Sequence, residues 1–191
     1  MVIKAIEKSI DIVHDFLNKI AGPAAEEFGL AFQDKARLYR YKNLIKILEK
    51  AKKFAEKSES EIKEIPLRTL MPIIEGASLE DDENLSEKWA ALIANAATGN
   101  LTRGNHPSYV QILKELSPSD AFLLDEIFKN DQKIIWNDFK AKYVKDNLIS
   151  PEEVSLSYDN LFRLNLINNT SNGLIKTEFG RYFMQACQKP Q

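Results

Sequence analysis

Residues 89–113, WAALIANAATGNLTRGNHPSYVQIL, run from a small-residue segment straight into Asn-His-Pro-Ser. Trp89, Leu92, Ile93 and Ala96 recur at helical spacing, so the first part reads as an amphipathic helix. Ala90, Ala91, Ala94, Ala96 and Ala97 let neighbouring helices approach closely. Gly99 is a natural helix stop, LTRGNH supplies turn chemistry, and Pro107 suits the first turn of a new helix that buries Val110, Leu113 and Leu116. His106 then reads as a cap or surface residue. The competing reading, a catalytic His106/Ser108 pair, is weaker, because residues two apart do not share a helix face and no orienting carboxylate is adjacent. Asp120 stays open as a distant partner that the sequence does not place.

The same alternation of helix and stop extends toward the N-terminus. Ser78-x-x-Asp81 has the form of a capping box, with Glu80, Asp81, Asp82 and Glu83 where the helix dipole favours negative charge. Before it, Pro66 opens a short helix, LRTLMPIIEG, which Pro72 interrupts and Gly76 ends. SESEIKE, residues 58–64, is a polar connection. From Pro23 to Lys57 the apolar positions drift as in one long helix, about 50 Å at 1.5 Å per residue. Ile3, Ile6, Ile10, Val13, Leu17 and Ile20 form the stripe of a preceding helix, and Gly22-Pro23 is the expected tip of a long antiparallel helix hairpin.

Toward the C-terminus the pattern changes at Ser117. Ser117-Pro118-Ser119-Asp120 is a capping box with proline at the first helical position, opening a helix that buries Phe122, Leu123, Leu124, Ile127 and Phe128. KIIW, residues 133–136, is strand-like, and a small helix follows. Ser150-Pro151-Glu152-Glu153 opens another helix, with Val154, Leu156, Tyr158, Leu161, Phe162 and Leu164 inward or half inward. Asn172-Gly173 marks a β-hairpin, and Thr177 caps a last helix. The expected fold is therefore mainly α: an N-terminal helical domain, residues 1–116, built on the long helix hairpin, and a winged-helix-like module, residues 117–191.

Composition removes several classes. With 191 residues, 44% of them hydrophobic, the chain can bury a real core. A net charge of −2 gives the whole molecule no strong attraction to nucleic acid or anionic membranes. One cysteine, Cys187, excludes an internal disulfide, and with His14 and His106 it cannot build a four-ligand zinc cage of the usual kind. No stretch approaches the roughly 20 apolar residues of a membrane span, and the N-terminus lacks a signal-peptide core, so a soluble cytoplasmic protein is expected. Phosphate-loop, dinucleotide, zinc-protease and nucleophile-elbow motifs are absent, and no cofactor or metal is expected.

The most polarised segment is residues 35–57, with nine basic side chains against two acidic ones. Residues 75–88 supply the counterweight, six acids against one lysine. One reading is a solvated helix partly neutralised by that acidic helix start. The functional reading is an anion-facing strip, with Lys35, Arg37, Arg40, Lys42, Lys46, Lys50 and Lys53 as candidate binding residues, extended by Arg103 and His106 of the loop. The helix that would read DNA in a winged module carries Glu152, Glu153 and Asp159 against Arg163, a poor match to phosphates and base edges.

Several stretches together resemble the Abi-alpha family of bacterial proteins: GPAAEEFG (22–29), RLYRYKNLIKILEKAKK (37–53), EGASLEDDENLSEKWAALIANA (75–96), HPSYVQILKELSPSDA (106–121), and YDNLFRLNLI with TEFGRYFMQAC. The Trp-Ala-x-Leu-x-Ala-Asn-Ala signature with His-Pro-Ser is the most specific part. The resemblance implies phage resistance by abortive infection, but no established reaction and no catalytic residue. The leading expectation is a non-enzymatic phage-defence component that binds a macromolecular partner, a protein first and nucleic acid or a second copy as alternatives. The competing classes are a nucleic-acid-binding regulator and a small hydrolase or nuclease using His106.

Overall fold

In a computed structural model, residues 15–22, 35–99, 106–130, 134–145, 149–171 and 173–190 are described, with the side chains of residues 35–38 excepted. The architecture is mainly helical with one two-stranded antiparallel sheet. Two compact units contain these residues: one runs to Leu113 and takes in Ala186 onward, the other is Lys114–Gln185.

In the first unit, α1 spans residues 15–21 and buries Phe16 and Ile20. Of the expected helix tip, Gly22, at φ 54, follows α1, while Pro23, the helix before residue 15 and the start of the long helix lie outside the described residues. From Lys35 to Lys57 the long helix, α2, is continuous, about 35 Å of it. Its apolar stripe, Leu44, Ile47, Leu48, Ala51 and Ala55, is fully buried. That stripe packs mainly against α4 (Glu83–Ala97), with α3 (Leu67–Ser78) closing the other side. Nearly all of α4 is inside, from Leu85 through Trp89 to Ala97, and its alanines are what allow α2 to come close. The 58–66 connection is pinned at two points: Ile65 N donates to Ile20 O at 2.9 Å, and Lys63 N to Ala97 O at 2.7 Å.

Two local readings need correction. Ser78 does not cap α4. Gly76, Ala77 and Ser78 are all buried, so α3 runs on past Gly76 and leaves Ser78 with helical backbone. Asp82 caps α4 instead, its Oδ1 accepting from Leu85 N at 2.9 Å.

Helix α5 (Pro107–Glu115) carries the chain across the boundary at Leu113, and α6 (Pro118–Lys129) is the first helix wholly inside the second unit. Next come an isolated antiparallel bridge from Ile134 to Leu174, then α7 (Trp136–Lys145) and α8 (Pro151–Arg163). The strand expected in KIIW is reduced to that single bridge. Both α6 and α8 open on capping boxes, Ser117 with Asp120 and Ser150 with Glu153, each with proline in the first turn. At its far end α8 stops on Asn165 at φ 56, a left-handed residue that lets Leu166 N reach back to Leu161 O at 3.0 Å. Strands β1 (Ile167–Thr170) and β2 (Gly173–Lys176) pair with Ile167 opposite Lys176 and Thr170 opposite Gly173.

The last helix, α9 (Glu178–Ala186), starts under Thr177, whose Oγ1 accepts from Gly180 N at 2.8 Å. Gly180 is required there: a Cβ would stand 2.1 Å from Leu166 O. Neighbouring rings form a row, Phe122 to Tyr143 to Phe139 to Trp136 to Tyr158 to Phe162, which supplies much of the packing between α6, α7 and α8.

Leu156 and Phe162 face outward, 69% and 49% exposed, rather than inward as their hydrophobicity suggests. The buried face of α8 is the narrow stripe Val154, Ser157 and Leu161, at spacings of 3 and 4, and neither residue falls on it.

Candidate functional site

Because 3.6 residues make a turn, Tyr39, Lys42, Lys46, Lys50, Lys53 and Lys57, separated by 3, 4, 4, 3 and 4 positions, share one face of α2. This is the face opposite the buried stripe. Lys42, Lys46, Lys53 and Lys57 are exposed, while Lys50 is half-buried.

The start of α4 neutralises part of that line. Glu83 accepts from Lys46 Nζ through Oε2 and from Lys50 Nζ through Oε1, each at 2.5 Å. Those two ammonium groups hold the Glu83 carboxyl down at about 2, against an ordinary 4.5. Two turns before Lys46, Tyr39 OH donates to Asp81 Oδ2, and that hydrogen bond pushes the tyrosine pKa up. Outside the line, Lys52 pairs with Glu56 at 2.9 Å.

Arg40 is elsewhere on the helix. Its Nε donates to Ser78 Oγ at 3.1 Å, and Ser78 in turn donates to Glu75 O at 2.8 Å, so this guanidinium fastens α2 to the end of α3. Among the described residues, Lys42, Lys53 and Lys57 have no ion pair or hydrogen bond. The strip is therefore split in two: a middle pair clamped by Glu83, and three free lysines distributed along about 22 Å of helix axis, from residue 42 to 57.

The remaining candidates do not extend it. The side chains of Lys35 and Arg37, and the whole of Arg103, lie outside the described residues. His106 stands just before α5, its Nδ1 accepting from Ser108 N at 3.3 Å and its ring 5.3 Å from that of Tyr109. That is the geometry of an N-cap, satisfying one of the orphan donors of the helix start. The Asp120 carboxylate is engaged by Ser117 N and Asn160 Nδ2, both at 2.8 Å.

Sequence reading missed Glu83 as the shared acceptor. The only signal was its place among four consecutive acids, which capping and dipole already explain. It also missed the task of Asn95 in the WAALIANA signature. This side chain is buried, and its Nδ2 donates to Ala186 O at 2.9 Å and Gln188 O at 2.8 Å, tying the last described residues of the chain to α4.

Among the described residues no group of three His, Cys, Asp or Glu side chains could hold a metal ion. No helix among them is long and apolar enough to cross a membrane. A family model described as abortive infection alpha matches residues 37–176. No curated protein and no solved structure matches the chain.

Proposed function

Since the chain belongs to the abortive infection alpha family, we propose that it is a phage-defence component that works by binding an acidic protein partner along α2 rather than by catalysis. The observation that carries this reading is the line of free lysines, Lys42, Lys53 and Lys57, on the exposed face of a helix whose other face is locked into the core. A line of unpaired ammonium groups on a rigid rod is electrostatically complementary to a row of carboxylates, and such complementarity steers association and fixes register. The Lys46–Glu83–Lys50 clamp withdraws two further ammonium groups from that face.

The capping geometry of His106 supports the non-catalytic reading, since its Nδ1 lone pair is directed at a backbone N–H. We read the second unit, α6, bridge, α7, α8, β1, β2, α9, as a winged-helix-like module and assign it to protein contact as well. The helix in the reading position, α8, exposes Glu152, Glu153 and Asp159, which would repel phosphate.

The test compares the wild-type chain with a Lys42→Glu/Lys53→Glu variant by cross-linking in phage-challenged cells. The reading expects one acidic protein captured by the wild type and lost in the variant. Retardation of DNA or RNA by the wild type, falling steeply with salt and abolished in the variant, would transfer the surface to nucleic acid instead.

A further inference from the structure

The inner face of α3, Leu70, Ile73, Ile74 and Ala77, is buried, as an amphipathic helix packed on a core requires. Its outer face should then be polar, and it is not. Leu67, Met71 and Leu79, the last just past the helix end, are 44%, 51% and 60% exposed. With Glu75 between the last two, they follow one another at steps of four. Among the described residues of the first unit, they are three of the four exposed large hydrophobic side chains, gathered on one element. Scattered exposed leucines are ordinary, but a row of them along one helix marks an interaction surface.

Two charges on that face point to its occupant. Arg68 and Glu75, both exposed, are seven residues apart, about 10.5 Å along the axis, and so lie on the same side of the helix. Met71 and the half-buried Pro72 stand midway between them. Among the described residues the Arg68 guanidinium has no ion pair or hydrogen bond. A face with a cation toward one end, a carboxylate toward the other and an apolar centre is complementary to itself read in reverse. Set antiparallel about a two-fold axis at Met71-Pro72, two such helices bring each Arg68 opposite the other copy's Glu75 and each Met71 against the other copy's Pro72. An anionic membrane is a poorer match, because two of the three exposed charges along this stretch, Glu64, Arg68 and Glu75, are acidic.

We propose that the outer face of α3 docks a second copy of this chain, the two α3 helices running antiparallel about a two-fold axis. Such an interface is isologous, so every contact is made twice. Leu67, Met71 and Leu79 supply the buried apolar area, while the two Arg68–Glu75 pairs fix direction and register rather than affinity, since exposed ion pairs contribute little by themselves. One helix pair covers less than a standard interface, so the dimer dissociates on the order of micromolar concentration.

The experiment follows the mass of the full chain by sedimentation velocity from low to high micromolar concentration. The wild type should rise from 21.8 kDa toward twice that value. Met71→Glu, at an exposed position that leaves the core untouched, should weaken the dimer by at least about tenfold. Arg68→Glu and Glu75→Arg should each weaken it, and the combined Arg68→Glu/Glu75→Arg variant should recover it, because the exchanged charges again face their opposites. Met71→Cys should give a disulfide-linked dimer on oxidation, since this position lies beside the axis and the native Cys187 is buried. Lys42→Glu/Lys53→Glu should leave the dimer unchanged, which separates this surface from the α2 face. A wild type that stays monomeric throughout, whether alone or while binding anionic vesicles or a different protein through α3, would overturn the proposal. So would a dimer indifferent to Met71→Glu, the absence of the Met71→Cys cross-link, or no recovery in the charge exchange.

Discussion

Lys50 of α2 lies with its ammonium 2.5 Å from a Glu83 carboxylate oxygen at the start of α4, across the largest helix–helix packing interface in the first unit. Glu83 is exposed, so the contact contributes little to stability, but it decides how many charges of the α2 face remain available. Lys46 shares the same carboxylate.

The Glu83 carboxyl should titrate near 2 rather than at its ordinary 4.5. Because the folded-state pKa lies below the unfolded one, whatever this contact stabilises is fully present above about 4.5 and is lost as pH falls toward 2. Carbon-detected NMR of the glutamate carboxyls measures it directly. In a Lys46→Met/Lys50→Met background the titration should return toward 4.5.

Glu83→Gln should release both lysines while leaving the thermal midpoint nearly unchanged. If α2 is a docking face, partner binding tightens in this variant and becomes more sensitive to salt. Isothermal titration at two ionic strengths checks both.

Asn95→Ala removes a buried amide that serves two carbonyls, Ala186 O and Gln188 O. The expected cost is about 1–3 kcal/mol in urea unfolding, with faster amide exchange in the last residues of the chain. An unchanged urea midpoint would show that those carbonyls find water without loss.

Gly180→Ala should destabilise despite the better helix propensity of alanine, because the new methyl would meet the Leu166 carbonyl at 2.1 Å. The strain should exceed the gain of about 1 kcal/mol from removing a helical glycine, for a net loss of about 1–3 kcal/mol. Thermal unfolding of the variant gives the sign.

What could be read from the sequence was mostly what local chemistry determines. The helix starts at Ser117 and Ser150 were legible because the cap, the proline and the reciprocal acid lie within four residues. Ser78 has nearly the same local pattern and was misread, since burial of Gly76 and Ala77 carries α3 through it. The lysine line was legible as a spacing, but its division into clamped and free members was not. That depends on how α2 and α4 pack, which the alanines of WAALIANA permit without specifying. Likewise Leu156 reads as a core residue from its hydrophobicity, but the buried stripe of α8 is only Val154, Ser157 and Leu161 wide and leaves it outside.

The central claim is that the free lysines of α2 carry the defence function. Its most direct measurement is the plating efficiency of phage on bacteria producing the wild-type chain or the Lys42→Glu/Lys53→Glu variant, at matched protein levels and matched thermal midpoints. Protection by the wild type and its loss in the variant is the predicted result. Equal protection by both would contradict the account and leave the strip a solvated face.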